Sequence, residues 1–230
     1  LSDDITRRLK PLAEAAHTRN ATVLVDPSLI DEVRAMASGY LVAGKGSHTV
    51  AGTGQEQAKE WLNLVEPLLS SGRAYRLPYG NADVIGAARQ GRSSLLLTVK
   101  HAVDPSNPAA HLPLAIIDPA AELDNSSFKT LAKELSPSVI LTCAASVRKG
   151  VREDFGVKIV GLADTVRTSG HPQSNSDSQR RGMLLSQALL MTRESIPAVT
   201  LVTTVNDVQA TAPVSWLHLQ NLSTILNGAK

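Results

Sequence analysis

Short aliphatic runs alternate with longer amphipathic stretches along nearly the whole chain. Residues 3–18 place Leu9, Leu12 and Ala16 on one helical face, with Asp3 and Asp4 near the amino end, and predict a first helix. The run TVLVD (22–26) predicts a strand, and SLIDEVRAMAS (28–38) a helix that Gly39 closes. Residues 43–54 are glycine-rich and aperiodic, which predicts a loop. Helical spacing returns at 55–71, with Trp61, Leu62, Val65, Leu68 and Leu69 on the apolar stripe. A second strand, AYRLP, ends at Pro78 in the turn LPYGNAD, whose Asn81 and Asp83 suit a helix start. Helices follow at about 83–90, 93–103 and 125–135, and strands at 112–118, 138–142 and 157–162. The polar segment 168–178 reads as a mobile loop. A helix at 179–195, a strand at 198–204 and a helix at 213–227 carrying Trp216 and Leu217 complete the reading.

Continuously apolar strands separated by helices are the pattern of a parallel sheet with both faces covered. The expected fold class is therefore α/β: a single domain over 1–230, its largely parallel sheet wound as a partial (β/α) barrel. An open doubly wound sheet is the alternative. The barrel is preferred because acids recur at strand ends along the chain and do not gather at one switch point.

One phrase occurs twice: an apolar strand that ends in Asp-Pro, in TVLVDPSLID (22–31) and in LAIIDPAAELD (114–124). The proline stops each strand and turns the chain toward a helix, leaving Asp26 and Asp118 at strand ends. Asp83 and Asp164 also lie at or just beyond predicted strand ends. In a parallel barrel those ends share one mouth, where two carboxylates at suitable separation suffice for acid/base cleavage of a glycosidic bond. The simpler reading of each acid is turn or cap chemistry. Tyr79, in LPYGNAD, is the aromatic placed to stack on a ligand.

Composition narrows the choices. The chain has 23 basic and 21 acidic residues and seven aromatics, with no long basic run, which argues against a nucleic-acid partner. The lone Cys143 excludes an internal disulfide. No apolar run approaches the roughly 20 residues needed to cross a bilayer, so no membrane contact by this domain itself is expected. The six histidines (17, 48, 101, 111, 171 and 218) include no pair at ligand spacing, so neither metal nor cofactor is implied. Residues 39–46 imitate a phosphate-binding loop but follow a helix and place Gly46 where a hydroxyl should stand. There is no Gly-x-Ser-x-Gly elbow.

Several phrases carry a family likeness: VDPSLIDEVRAMASGYLV, AGTGQEQAKEWLNLV, LPYGNADVIGAAR, RRGMLLSQALLM and APVSWLHLQNL. Together they resemble an uncharacterised family of exported, membrane-anchored actinobacterial envelope proteins encoded beside the lipid II flippase of peptidoglycan synthesis. The likeness spans most of the chain. It implies an extracytoplasmic location, a role in the cell envelope, and a signal and a membrane anchor outside these 230 residues. It supplies no catalytic residue. More distantly, the expected barrel resembles the glycoside hydrolase and deacetylase group, though no strand end carries the Asp-Asp of the metal-dependent deacetylases and their His-x-x-x-His motif is missing.

The expectation is a non-catalytic or catalytically decayed domain that binds a glycan, a peptidoglycan component or a membrane-protein partner of wall synthesis. Its ligand-facing residues would be Asp26, Tyr79, Asp83, Asp118 and Asp164. The alternatives are a metal-independent glycan hydrolase using Asp26 and Asp118, and an assembly scaffold with an exposed apolar patch.

Overall fold

A computed structural model describes residues 2–19, 21–44, 48–143, 151–162, 178–179, 181–182, 185–186, 188–189, 198–199, 201–202, 204, 206–207 and 220–228. The chain opens with α1 (Ser2–Asp4), passes through a π-helical stretch (Ile5–Leu9), and continues as α2 (Lys10–Thr18). Strand β1 (Val23–Val25) leads into α3 (Pro27–Ser38). An antiparallel hairpin, β2 (Leu41–Ala43) and β3 (Thr49–Ala51), precedes α4 (Gln55–Leu69). Strand β4 (Ala74–Arg76), helices α5 (Val84–Arg89) and α6 (Ser93–His101), strand β5 (Ala115–Asp118), α7 (Asn125–Leu135) and β6 (Val139–Cys143) follow. Beyond them come β7 (Arg152–Asp154), β8 (Val157–Leu162), β9 (Ala198–Val199) and α8 (Leu222–Gly228).

The fold is mixed α/β. Strand β1 pairs parallel with β4, and a parallel bridge from Arg76 to Leu114 carries the sheet on to β5. Parallel ladders then join β5 to β6, β6 to β8 and β8 to β9. The parallel strands thus lie side by side in chain order. A doubly wound sheet reverses its order at a switch point, and no reversal occurs among the described residues. Nor do they include a ladder closing β9 onto β1.

Side-chain alternation divides the sheet into two apolar faces. Val25, Ala74, Ile116, Ile140 and Ile159 face the layer of helices α2 to α7. Tyr75, Ala115, Val139, Leu141, Val160 and Leu162 face the other way, under Leu222 and Leu226 of α8. Burying those two leucines stabilises the α8 contact by about 3–6 kcal/mol. Two polar contacts position the helix: Leu222 N donates to Thr22 Oγ1 at 2.7 Å, and Lys158 Nζ donates to Leu226 O at 2.9 Å.

Helix α4 lies alongside the N-terminal helices and runs the same way. Ser2 packs on Gly54, Lys10 pairs with Glu60 at 3.0 Å, and His17 Nε2 lies 2.7 Å from Leu64 O. The stripe read from sequence is the one buried, with Trp61, Val65, Leu68 and Leu69 in the core.

Two expectations need correction. Residues 43–54 are not simply a loop, because Leu41–Ala43 pair with Thr49–Ala51. Both strands are exposed along their length, so no buried alternation marks them. Tyr40 clamps the base of the hairpin: its hydroxyl donates to Thr53 O at 2.8 Å, and its ring fills the space a side chain at Gly52 would need. Helix and strand also do not alternate throughout, since β7 turns straight back onto β8 through Phe155 and Gly156. The expected helix at 213–227 is described only over Leu222–Gly228; Trp216 and Leu217 lie outside the described residues.

Candidate functional site

Asp26 ends β1 and caps α3. Its backbone is still extended (φ −79°, ψ 121°), and Pro27 presets the first helical residue. Its Oδ1 accepts from Ser28 N at 2.9 Å and from Gly80 N at 3.0 Å. One carboxylate oxygen therefore fixes both the start of α3 and the turn that follows β4. Tyr79 stands in that turn, half-buried, and its hydroxyl donates to Asp31 Oδ2 at 3.3 Å. Partial burial, then the charge of Asp31, push the phenol pKa up, with smaller contributions from Asp26 and Glu32.

Asp31 in turn accepts from Asn107 Nδ2 at 2.8 Å. Asn107 is only 1% exposed. Its Nδ2 also donates to Pro27 O at 2.9 Å, and its Oδ1 accepts from Ala109 N at 2.8 Å. The buried amide thus uses both its donor and its acceptor groups, as burial demands.

Neither Asp31 nor Asn107 was among the residues singled out from sequence, although a signal was present. VDPS occurs at 25–28 and again at 103–106. Both copies fold alike: Ser106 N donates to Asp104 Oδ1 at 2.7 Å as Ser28 N does to Asp26. In each, the backbone oxygen of the aspartate accepts from the third residue on, Leu29 at 3.1 Å and Asn107 at 2.9 Å. The side chain closes a turn that proline, lacking an N–H, cannot close. Asn107 and the Arg34 Nη1 contact to Ser106 O (3.0 Å) then fasten the second turn to α3.

Asp118 behaves differently. It is 2% exposed, with Oδ1 accepting from Glu122 N at 3.0 Å and Oδ2 from Leu123 N at 3.3 Å. The carboxylate gathers the 119–123 loop around itself, and α7 starts only at Asn125, capped by Asp124 through Ser127 N at 2.7 Å. The two Asp-Pro corners are therefore not equivalent: the first caps a helix directly, the second anchors a loop.

These two acids do not form a facing pair. Val25 is level with Arg76 and Arg76 with Leu114, which puts Asp26 level with Ala115. Two strand spacings across and three residues along separate Asp26 from Asp118 by about 14 Å at Cα. Alternation also sends them to opposite faces. Asp118 follows Ile116 toward the helix layer, whereas Asp26 follows Leu24 toward the α8 side. Asp83 is exposed and caps α5 through Gly86 N at 2.8 Å. Asp26, Tyr79 and Asp83 thus share the segment following β1 and β4, Asp118 stands apart, and Asp164 lies outside the described residues, as does 168–177. Among the described residues no group of three or more His, Cys, Asp or Glu is placed to hold a metal ion, and no helix is long and apolar enough to cross a membrane.

Comparison with protein-family models, with curated proteins and with solved structures finds no match to this chain.

Proposed function

We propose that this chain is a non-catalytic binding domain of an exported, membrane-anchored envelope protein, built as a partial (β/α) barrel, whose ligand is a glycan component of the cell wall. The barrel reading is supported by parallel strands that follow one another in chain order, the winding that barrels use. The location and the ligand class rest on the family likeness of the sequence phrases. Binding is favoured over two-carboxylate hydrolysis because a hydrolase needs its acids about 5–9.5 Å apart across one cleft, while Asp26 and Asp118 are occupied by backbone N–H groups on opposite faces.

The observation that carries the reading is the half-exposed Tyr79 ring, its hydroxyl set on the Asp31 carboxylate. An aromatic face beside hydrogen-bond acceptors suits a polyhydroxylated ligand. The test is a titration of the domain with peptidoglycan fragments while backbone amide shifts are followed. The amides of Asp31, Tyr79 and Gly80 should move, and Tyr79→Ala should weaken binding about tenfold. Stationary amides at that corner would sink the reading.

The scaffold reading has one observation in its favour. The β2–β3 hairpin exposes Leu41 by 70% and Val50 by 51%, and a two-stranded hairpin gains little stability unaided. Leu41→Lys should then abolish a pull-down of the domain's partners while leaving its urea midpoint unchanged.

A further inference from the structure

The face of the sheet turned toward α7 holds a second feature that the sequence reading did not reach. A cleft of ≈ 130 Å³ opens between α7 and the strands β5 to β8. Its walls include Asp118, Asp124, Thr142, Arg152, Phe128, Ile140 and Ile159. At about 30 Å³ for each water's share of liquid volume, it holds the equivalent of roughly four heavy atoms. Whole-ligand pockets run to about 300–1,000 Å³, so this cleft takes a substituent and leaves the rest of a ligand on its rim.

The lining says which substituent. Asp118 uses only two of its lone pairs on Glu122 N and Leu123 N and can accept more. The Arg152 guanidinium gives one nitrogen to Asp154 Oδ2 at 2.8 Å and has further donors. Thr142 offers a hydroxyl, and Phe128, Ile140 and Ile159 supply apolar wall. An anion would meet two carboxylates, Asp118 and Asp124, against one guanidinium. The matching group is neutral, carries one N–H and one C=O, and ends in a methyl: a four-atom acetamido group.

The rim supplies the second observation. Phe155, on the same hairpin as Arg152, is 57% exposed and adopts φ 48°, a left-handed backbone that bulky residues avoid. Asparagine or glycine would fit that turn without strain. Its ring lies 6.0 Å from that of Phe128, a cleft residue, and Lys129 Nζ sits 5.3 Å from its centroid. Backbone strain held at an exposed aromatic points to the side chain's use as a binding surface.

We propose that this cleft and Phe155 form a subsite for an acetamido sugar, the acetamido group seated against Asp118, Thr142 and Arg152 and the sugar ring lying on Phe155. It shares the glycan-binding reading above but not its location.

The test is an amide-shift titration with N-acetylglucosamine, with glucose, and with N-acetylalaninamide as a non-sugar amide. N-acetylglucosamine should shift residues 121–125, Thr142 and Arg152 with a Kd of about 1–10 mM. Glucose should leave them still, and the blocked alanine should bind at least fivefold more weakly. Thr142→Val and Phe155→Asn should each weaken binding fivefold or more, with Phe155→Asn leaving Tm unchanged or raised. No shift there by about 50 mM N-acetylglucosamine, or equal shifts with glucose, would overturn the subsite. Equal binding of the blocked alanine would overturn its assignment to a sugar. A lowered Tm with unchanged affinity in Phe155→Asn would assign that ring to hairpin packing and remove it from the subsite. Shifts confined to Tyr79 and Gly80 would uphold the β1–β4 corner and overturn this cleft; shifts confined to the cleft would do the reverse.

Discussion

Replacing Asn107 with alanine tests whether the β1–β4 corner is held from behind. The substitution leaves Ala109 N–H without an acceptor in a place solvent does not reach. An orphaned buried donor costs about 1–3 kcal/mol, and the void left by the amide about 1 kcal/mol more. Pro27 O and Asp31 each lose one donor as well, though Asp31 is only partly buried and water replaces much of that contact. With about 1 kcal/mol for the buried Pro27 O, the total is about 3–5 kcal/mol, equivalent in a chain of this size to a Tm lower by roughly 6–20 °C. Urea unfolding followed by circular dichroism measures it. Asn107→Asp sharpens the test. It keeps the acceptor for Ala109 N but sets a second carboxylate 2.8 Å from Asp31 Oδ1. Repulsion raises the folded pKa of the introduced carboxyl, so its contribution is fully present below the unfolded value and is lost as pH rises through the folded one. The aspartate variant should therefore be at least as unstable as alanine at pH 7 and recover markedly near pH 4. An Asn107→Ala loss below about 1 kcal/mol, or a pH-independent deficit in the aspartate variant, would refute the reasoning.

Asp26→Ala should cost about 1–2 kcal/mol through loss of the α3 cap, and hydrogen exchange should show Gly80 N–H losing protection while β6 keeps its own. Asp118→Asn replaces one acceptor oxygen with an NH₂ facing a backbone N–H, and a urea titration should register a loss of about 2–4 kcal/mol. Ser127 N–H holds the Asp124 carboxyl below its ordinary pKa. The cap's contribution is therefore complete above the unfolded value and disappears as pH falls through the folded one. Asp124→Ala should be less stable than the parent at pH 7 and converge with it in acid, a difference that thermal melts across pH would report. Val50→Thr on the exposed hairpin should leave stability within about 0.5 kcal/mol while raising the concentration at which the protein precipitates.

Periodicity located the framework because the helices bury long stripes and the strands are uninterrupted aliphatic runs. Asn125–Leu135 and Val157–Leu162 fall where their patterns place them. The hairpin escaped because Leu41–Ala43 and Thr49–Ala51 are exposed on both faces and so carry no buried alternation. At the candidate sites, proline correctly marked two corners, yet nothing local distinguishes an acid that caps a helix from one that gathers a loop. That difference lies in six residues, 119–124, between Asp118 and α7. The level of each strand was equally invisible. A register in which Arg76 meets Leu114 is a long-range choice, and it is what separates Asp26 from Asp118. The duplicated VDPS was in plain view, but its meaning required seeing Asn107 reach across to Pro27.

The bond between Thr22 and Leu222 has a consequence for how the molecule comes into being. A stretch of 200 residues beyond Thr22 must be made before the α8 leucines can close over the lining of β1. Until then the greasy face running from Leu24 to Leu162 lacks Leu222 and Leu226. Chains cut short before residue 222 would never receive those two leucines, and the extra greasy surface would make them better clients for chaperones or seeds for clumping while the strands beneath are already in place.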